Sequence, residues 1–327
     1  MQLRLEPPPD LRDPGDPEAA SRHRDLLARW SPRPHPGLPA PDREAGLRRE
    51  RARMDREGWR CWIPDASRMA RRLGPAAPAL VFAAGTPDLS TPAVAVVGTR
   101  RPDAYGLAMA YRIGQAVGRA GALVLSGGAL GVDGAAHEGA LDAGGRTVAV
   151  LGSGLARPHP PSHRDLFRRV AARPGCCVLS EVPCLVPARA GTFPQRNRIL
   201  AALADAVVVV QAGLPSGALI TAGWARGLDV PVFAVPADAW YERSAGTIAL
   251  LRDGARVLAS PADLAVVPDL ADLASVPWPR PGSRPMGLPC PWHPPSSRPP
   301  VTESPDAAAL RAAMAAGASS VDALAAA

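Results

Sequence analysis

Short, valine-rich apolar runs recur along the middle of this chain, at 81–84, 94–97, 123–125, 148–151, 178–179, 207–210 and 232–235. Longer alanine-rich, helix-compatible stretches separate most of them. A strand covered on both faces reads as a continuous apolar run, and strands alternating with helices make parallel sheets. The pattern therefore predicts an α/β fold with a doubly wound, mostly parallel sheet. In such sheets ligands sit beyond the carboxyl ends of the strands, near the point where strand order reverses. The loops directly after each strand are thus the places to look for function.

The flanks have a different texture. Residues 1–56 are rich in proline, arginine and acids, and SPRPHPGLPAP (31–41) holds neither a helix nor a sheet ladder. A short solvated helix is expected around 43–57. The α/β domain is expected over 57–262, and a proline-rich linker over 263–303, with ten prolines between 277 and 300. Residues 304–327 read as one helix and the start of another, too little to close a core.

Composition removes several function classes. The net charge is +7, and all 37 basic residues are arginine. Without lysine there is no P-loop lysine, Schiff-base lysine or kinase-type strand lysine. The five cysteines form no C-x-x-C pair and the six histidines no H-E-x-x-H cluster, so neither a disulfide framework nor a metal site is expected. No cofactor is expected either. The first ten residues lack the apolar stretch of a secretory signal. The most apolar run, 199–210, is interrupted by Asp205 and is far short of the roughly 20 residues that span a membrane. A cytoplasmic protein is expected.

Four strand-end loops carry the chemistry. In VGTRR (97–101), Gly98 permits a sharp turn, Thr99 offers a hydroxyl and Arg100 can grip a phosphate with two parallel N–H groups. Asp103 would cap the following helix. In SGGALGVD (126–133), Ser126, Gly127 and Gly128 expose backbone amides just before a helix, a ready anion cradle. The spacing is not the dinucleotide fingerprint, and Gly152-Ser153-Gly154 is a weaker echo after the next strand. In TFPQRNR (192–198), Thr192 and Gln195 suit a capping box and Pro194 a first helical turn. Arg196, Asn197 and Arg198 would then crowd a helix N-terminus, where each cation costs about 0.3–1 kcal/mol unless an anion binds. Phe193 suits either stacking on a base or stapling the helix to the core. In QAGLPSGA (211–218), Ser216 and Gly217 form an N-cap with amides beyond it. No carboxylate in these loops has a partner suited to acid–base work. Asp133 and Glu138 share a helix and are expected to be solvated. G-x-S-x-G is absent, and the loops read as phosphate cradles with no catalytic residue.

These residues, in this order, resemble the DNA-processing protein A family. The matching stretches are AVAVVGTRRPDAYG (93–106), LSGGALGVDGAAHEGALDAGGRTVAVLGSGL (125–155), SEVPCLVPARAGTFPQRNRILAALADAVVVVQAG (180–213), PSGALITAGWARGLDVPVFAVP (215–236) and AGTIALLRDGARVL (245–258). The resemblance implies an extended Rossmann-like domain that binds single-stranded DNA without catalysis. It also implies a homodimer that interacts with the RecA recombinase and helps load it in natural transformation. Carried over by position, the DNA-contacting residues are Gly98, Thr99, Arg100, Ser126, Gly127, Gly128, Arg196, Asn197, Arg198, Ser216 and Gly217. Family members often carry a C-terminal winged helix, of which 304–327 resembles the first part.

Three departures from the family pattern bear on affinity. Leu130 stands where the glycine loop usually carries an arginine, Ile248 replaces an asparagine, and His159-Pro160 replaces an aromatic-Pro step. Weaker DNA binding than in a typical member is expected. Two other readings compete. Nucleotide phosphoribohydrolases of the lysine-decarboxylase-like group share such a sheet, but their P-G-G-x-G-T-x-x-E loop has no glutamate counterpart in AGLPSGALITA (212–222). A scaffold acting through its proline-rich ends rests on composition alone.

Overall fold

The computed structural model describes residues 18, 21–23, 25, 43–64 and 67–278. The expected tail at 304–327 and most of the expected linker lie outside the described residues. In chain order the elements are α1 (Arg43–Glu57), β1 (Arg60–Trp62), α2 (Arg68–Leu73), β2 (Val81–Gly85), β3 (Ala93–Val97), α3 (Ala104–Arg119), β4 (Leu123–Ser126) and α4 (Val132–Asp142). There follow β5 (Arg146–Leu151), α5 (Arg164–Ala172), β6 (Cys177–Ser180), α6 (Thr192–Leu203), β7 (Ala206–Val209), α7 (Gly217–Gly227), β8 (Val232–Ala234), α8 (Ala245–Arg252) and β9 (Arg256–Val257). Each apolar run singled out in the sequence marks a strand, with 207–210 and 232–235 running one residue past β7 and β8, while β1 and β9, with no such run, escaped notice.

The strands form one sheet in the order β1-β2-β6-β5-β4-β3-β7-β8-β9. β1–β2 and β2–β6 are antiparallel, and the remaining pairs are parallel. From β3 the chain winds outward through β4, β5 and β6, then returns to set β7, β8 and β9 on the other side. The reversal falls between β3 and β7, paired with Val97 opposite Val209.

Both faces are covered. Val94, Val96 and Val124 point toward α3 and α4, with Ile113, Val117 and Ala136 among the side chains that meet them. Ala95, Val97, Leu125 and Val207 point to the other face, against Ile199, Leu200 and Leu203 of α6 and Ala218, Ala222 and Ala225 of α7. Full burial of one such aliphatic side chain is worth about 1.5–3 kcal/mol. Alanine and glycine let α3 and α4 approach closely. Asp205, the interruption in the apolar run, sits at the start of β7, where its carboxylate accepts from Arg68 at 2.6 Å and from the Ala93 amide at 2.9 Å.

Two boundary expectations change. The helix at 43–57 is solvated on one side only, because Leu47, Glu50 and Met54 are buried. Glu50 accepts from the backbone amides of Cys184 at 3.2 Å and Leu185 at 2.9 Å, and His23 Nε2 lies 2.6 Å from its carboxylate. The segment expected to open the linker at 263 is instead packed. Its 3₁₀ turns Pro261–Val266 and Pro268–Ser275 bury Leu264, Leu270 and Leu273 against the α3 face. Leucines three apart suit a 3₁₀ helix, in which residues i and i+3 eclipse.

Candidate nucleic-acid interface

The loops after β3 and β7 are bound to each other at the switch point. The Thr99 amide donates to the Gln211 carbonyl at 2.7 Å. The Gln211 side chain donates to Asp103 at 2.9 Å and accepts from the Asp103 amide at 3.2 Å. Asp103 also caps α3 as expected, accepting from the Gly106 amide at 2.8 Å. Arg100, between these fixed points, is exposed, and its guanidinium lies 5.3 Å from the Phe193 ring centroid. On Phe193 also rests the exposed His159 ring, 5.6 Å away and tilted by 58°. The Phe193 ring, half-buried, thus bridges the loops after β3 and β5. Ser216 caps α7 as expected by accepting from the Ala218 amide at 3.3 Å, and Gly217 is exposed. A Cβ on Gly217 would meet nothing within 4 Å, so the approach to this helix terminus is open.

The glycine loop is built differently from the anion cradle expected of it. Asp133, expected to be solvated, is buried with its carboxylate turned back into the loop, where it accepts from the Ala129 amide at 3.2 Å. Burial pushes its pKa up, while Arg196 and the amides of Ala129 and Gly127 pull it down. The Val132 amide donates to the Thr99 carbonyl at 3.2 Å and the Gly134 amide to the Ala129 carbonyl at 3.2 Å. The carboxylate of the chain itself therefore takes the place that an external anion would need. Gly131 holds φ +80°, and a Cβ there would lie 2.6 Å from the Thr99 carbonyl. Only glycine lets these two loops touch.

The carbonyls of the same loop are held from below. Arg196 is 5% exposed; it donates to the Gly127 carbonyl at 2.6 Å and to the Val150 carbonyl. Burial lowers its pKa to about 10, opposed by Asp133 and assisted by Arg100, so it stays charged at neutral pH. A Cβ on Gly127 would fall inside this guanidinium. His163 Nδ1 lies 3.0 Å from the Gly128 carbonyl, and Ser126 donates to the Val96 carbonyl at 2.6 Å. Deeper still, His137 is fully buried, its Nδ1 2.7 Å from the Thr147 hydroxyl. Burial, with help from His163 and Arg196, depresses its pKa to about 3.

Several sequence expectations are therefore corrected. Arg196 and Arg198 are not free forks for phosphate. Arg198 pairs both terminal nitrogens with Glu181, at 2.6 and 2.7 Å, and donates from Nε to the Ala76 carbonyl at 2.8 Å. Asn197 is buried and donates to the Gly217 carbonyl at 3.1 Å, bracing the start of α7. Ser126, Gly127 and Gly128 are buried. The capping box is absent: Thr192 is the first helical residue, and its hydroxyl bonds to the carbonyls of Gly152 and Arg189. Of the eleven candidate residues, Arg100, Thr99, Ser216 and Gly217 keep exposed or half-exposed surface at the switch, as does Gly98 beside them, while the half-buried Arg198 lies away from it against Glu181 and Ala76. Among the described residues no cluster of three His, Cys, Asp or Glu side chains could hold a metal, and no helix is long and apolar enough to cross a membrane.

Residues 63–267 match the family model of the DNA recombination-mediator protein A. This chain belongs to that family. Among curated members of the DNA recombination-mediator protein A family and their kin, a protein of Mycobacterium tuberculosis named as a DNA processing protein DprA is 44% identical over 197 residues, 60% of this chain and 50% of that one. Protein Smf of Synechocystis is 40% identical over 186 residues, 57% of this chain and 45% of that one. The chain spans about half the length of these relatives. Of solved structures, DprA from Streptococcus pneumoniae superposes with a TM-score of 0.60 at 27% identity, covering 80% of this chain and 93% of that one. DNA processing protein A from Helicobacter pylori, whose reported structure concerns its single-stranded DNA binding mode, superposes at 0.54 with 31% identity, over 60% of this chain and 88% of that one.

Sequence reasoning missed His163, Gln211 and the burial of Asp133 at this rim. An acid one residue inside a helix that follows a glycine loop was the available signal for the last. The His163–Gly128 contact joins residues 35 apart and has no local signature.

Proposed function

We propose that this chain binds single-stranded DNA along the carboxyl rim of its sheet and acts as a non-enzymatic recombination mediator. In this reading it helps load the RecA recombinase on incoming DNA, works in the cytoplasm and forms a homodimer. The observation that carries the reading is the exposed Arg100 guanidinium over the Phe193 ring at the β3–β7 switch, with His159 on the same ring. A guanidinium fork offers paired donors to a phosphate, and an aromatic face accepts any base, which suits binding without sequence preference. The net charge of +7 adds attraction to a polyanion. The described residues packed around this rim include 43–64 and 67–278, wider at both ends than the sequence boundaries 57–262.

Fluorescence anisotropy of labelled oligo-dT and of a duplex of equal length, each across a salt series, tests the reading. Tighter binding of the single strand, with log K falling linearly in log salt, is expected. Equal affinity for the two, or no binding, overturns it. Release of free base from nucleoside monophosphates would instead favour the phosphoribohydrolase reading. RecA filament formation on the same oligonucleotide, with and without the chain, tests the loading role.

A further inference from the structure

The loop between β8 and α8 lies beyond the residues the sequence singled out, yet it opens on the same rim. Trp240 in this loop is 97% exposed. A tryptophan normally buries most of its large apolar surface, so a fully presented indole is a conspicuous expense unless something covers it. The ring is carried on a braced backbone. The Trp240 amide donates to the Asp238 carboxylate at 3.0 Å, the Tyr241 amide to the Asp238 carbonyl at 3.2 Å and the Ser244 amide to the Tyr241 carbonyl at 2.8 Å. Arg243 lies over the adjacent Tyr241 ring, 5.5 Å from its centroid, so a cation and two aromatic rings share one turn.

This turn is continuous with the switch-point loops. The Gly246 amide at its end donates to the Ala212 carbonyl at 2.7 Å, and a Cβ on Gly213 would lie 3.4 Å from the Glu242 carbonyl. At its start, the Pro236 carbonyl accepts from the Tyr105 hydroxyl at 2.9 Å, linking it to α3 just beyond Arg100 and the Asp103 cap. The loops after β3, β7 and β8 therefore form one surface, with Ser216 and Gly217 on its middle loop.

We propose that Trp240, with Tyr241 and Arg243, is a second base-stacking station for the single strand, taking bases that run from the Arg100–Phe193 contact across the switch. The proposal rests on the single-stranded DNA reading above and extends its footprint toward β8. An exposed indole beside a half-buried tyrosine and arginine, on a surface continuous with the Arg100 loop, fits a flexible strand better than a second protein copy. A protein interface would bury such a ring among aliphatic neighbours, whereas Trp240 stands beside Asp238, Glu242 and Arg243.

The test compares the full-length chain with W240A, W240F and R243A on a long and a short oligo-dT, and on an abasic phosphodiester as long as the longer one. Base stacking of about 1–3 kcal/mol corresponds to roughly a 5- to 150-fold loss for W240A on the longer oligo-dT. The short oligomer, which Arg100 and Phe193 already hold, should lose less. W240F should keep most of the affinity. Stacking releases no counterions, so W240A should leave the salt slope unchanged, while R243A should flatten it by about 0.7. The abasic strand should not distinguish W240A from the wild type. Unchanged oligo-dT affinity in W240A overturns the proposal while leaving the first site intact. So does an equal loss on the abasic strand, or a fall in oligomeric mass in place of a fall in affinity. A wild-type chain that fails to bind oligo-dT overturns both readings at once.

Discussion

The two halves of the carboxyl rim treat their polar groups in opposite ways. On the β4–β5 side, the glycine loop has its amides answered by Asp133 and its carbonyls by Arg196 and His163, all from inside the protein. On the β3–β7 side, the loops answer each other through Gln211 and Asp103, and they leave Arg100 and the mouth of α7 toward solvent. Both halves carry the glycine, serine and arginine that suggest a phosphate site, but only one presents them. The first half is a buttress that fixes the height and shape of the rim, and the second is the surface a strand can reach.

Removing the central guanidinium should break that buttress and give the largest effect. Arg196→Met keeps the aliphatic volume but leaves the Gly127 and Val150 carbonyls unanswered and Asp133 without its cation. Loss of one partner of a buried charged network costs about 3–5 kcal/mol. Denaturant unfolding should show a loss of that order, together with weakened oligo-dT binding. A variant as stable as the wild type, impaired only in binding, would return Arg196 to the strand-contacting class.

Acid should act on the same side. His137 titrates near 6.5 when unfolded and is depressed to about 3 by burial in the fold. The folded state thus binds fewer protons between those values. The stabilising contribution is complete above pH 6.5 and falls as pH drops toward 3, by about 1.4 kcal/mol per pH unit. His137→Gln should flatten the decline of stability between pH 6 and 4, measured by chemical unfolding at fixed ionic strength. An unaltered slope would show that other groups dominate the acid limb.

How much of this was legible in the sequence follows the same division. Apolar runs such as 207–210 announced their strands because burial on both sheet faces demands continuity. Asp103 and Ser216 announced their caps because capping is local. Arg196 misled for a physical reason: a cation near a helix N-terminus conflicts with the helix dipole wherever the charge is used. The sequence shows the conflict, but not whether an external phosphate or internal carbonyls and a carboxylate resolve it. The partners decide that, and the two carbonyls lie far along the chain, Gly127 69 residues away and Val150 46, with Asp133 in between. The leucines at 264, 270 and 273 were missed because a 3₁₀ repeat of three between prolines imitates an irregular linker.

On the open side the expectation reverses. Among the described residues the Arg100 side chain is held only by the Phe193 ring, and surface changes of this kind usually alter stability by no more than about 0.5 kcal/mol. Arg100→Ala should therefore leave the unfolding midpoint in place. It should weaken oligo-dT binding by about tenfold, the worth of one charge-assisted hydrogen bond of about 1.5 kcal/mol, and flatten the salt slope by about 0.7. Destabilisation without a change in slope would place Arg100 with the buttress.

The smallest effect is expected at Leu130, which sits between the two regimes. It is half-buried at the outer edge of the glycine loop, beyond the amides that Asp133 has taken. A longer cationic side chain there can carry its charge out to solvent on its flexible methylene stem. Leu130→Arg should tighten oligo-dT binding modestly and steepen the salt slope by about 0.7, with one more phosphate neutralised. If the slope does not move, the strand passes along β3, β7 and β8 only, and the glycine loop contributes to binding solely by holding those loops in place.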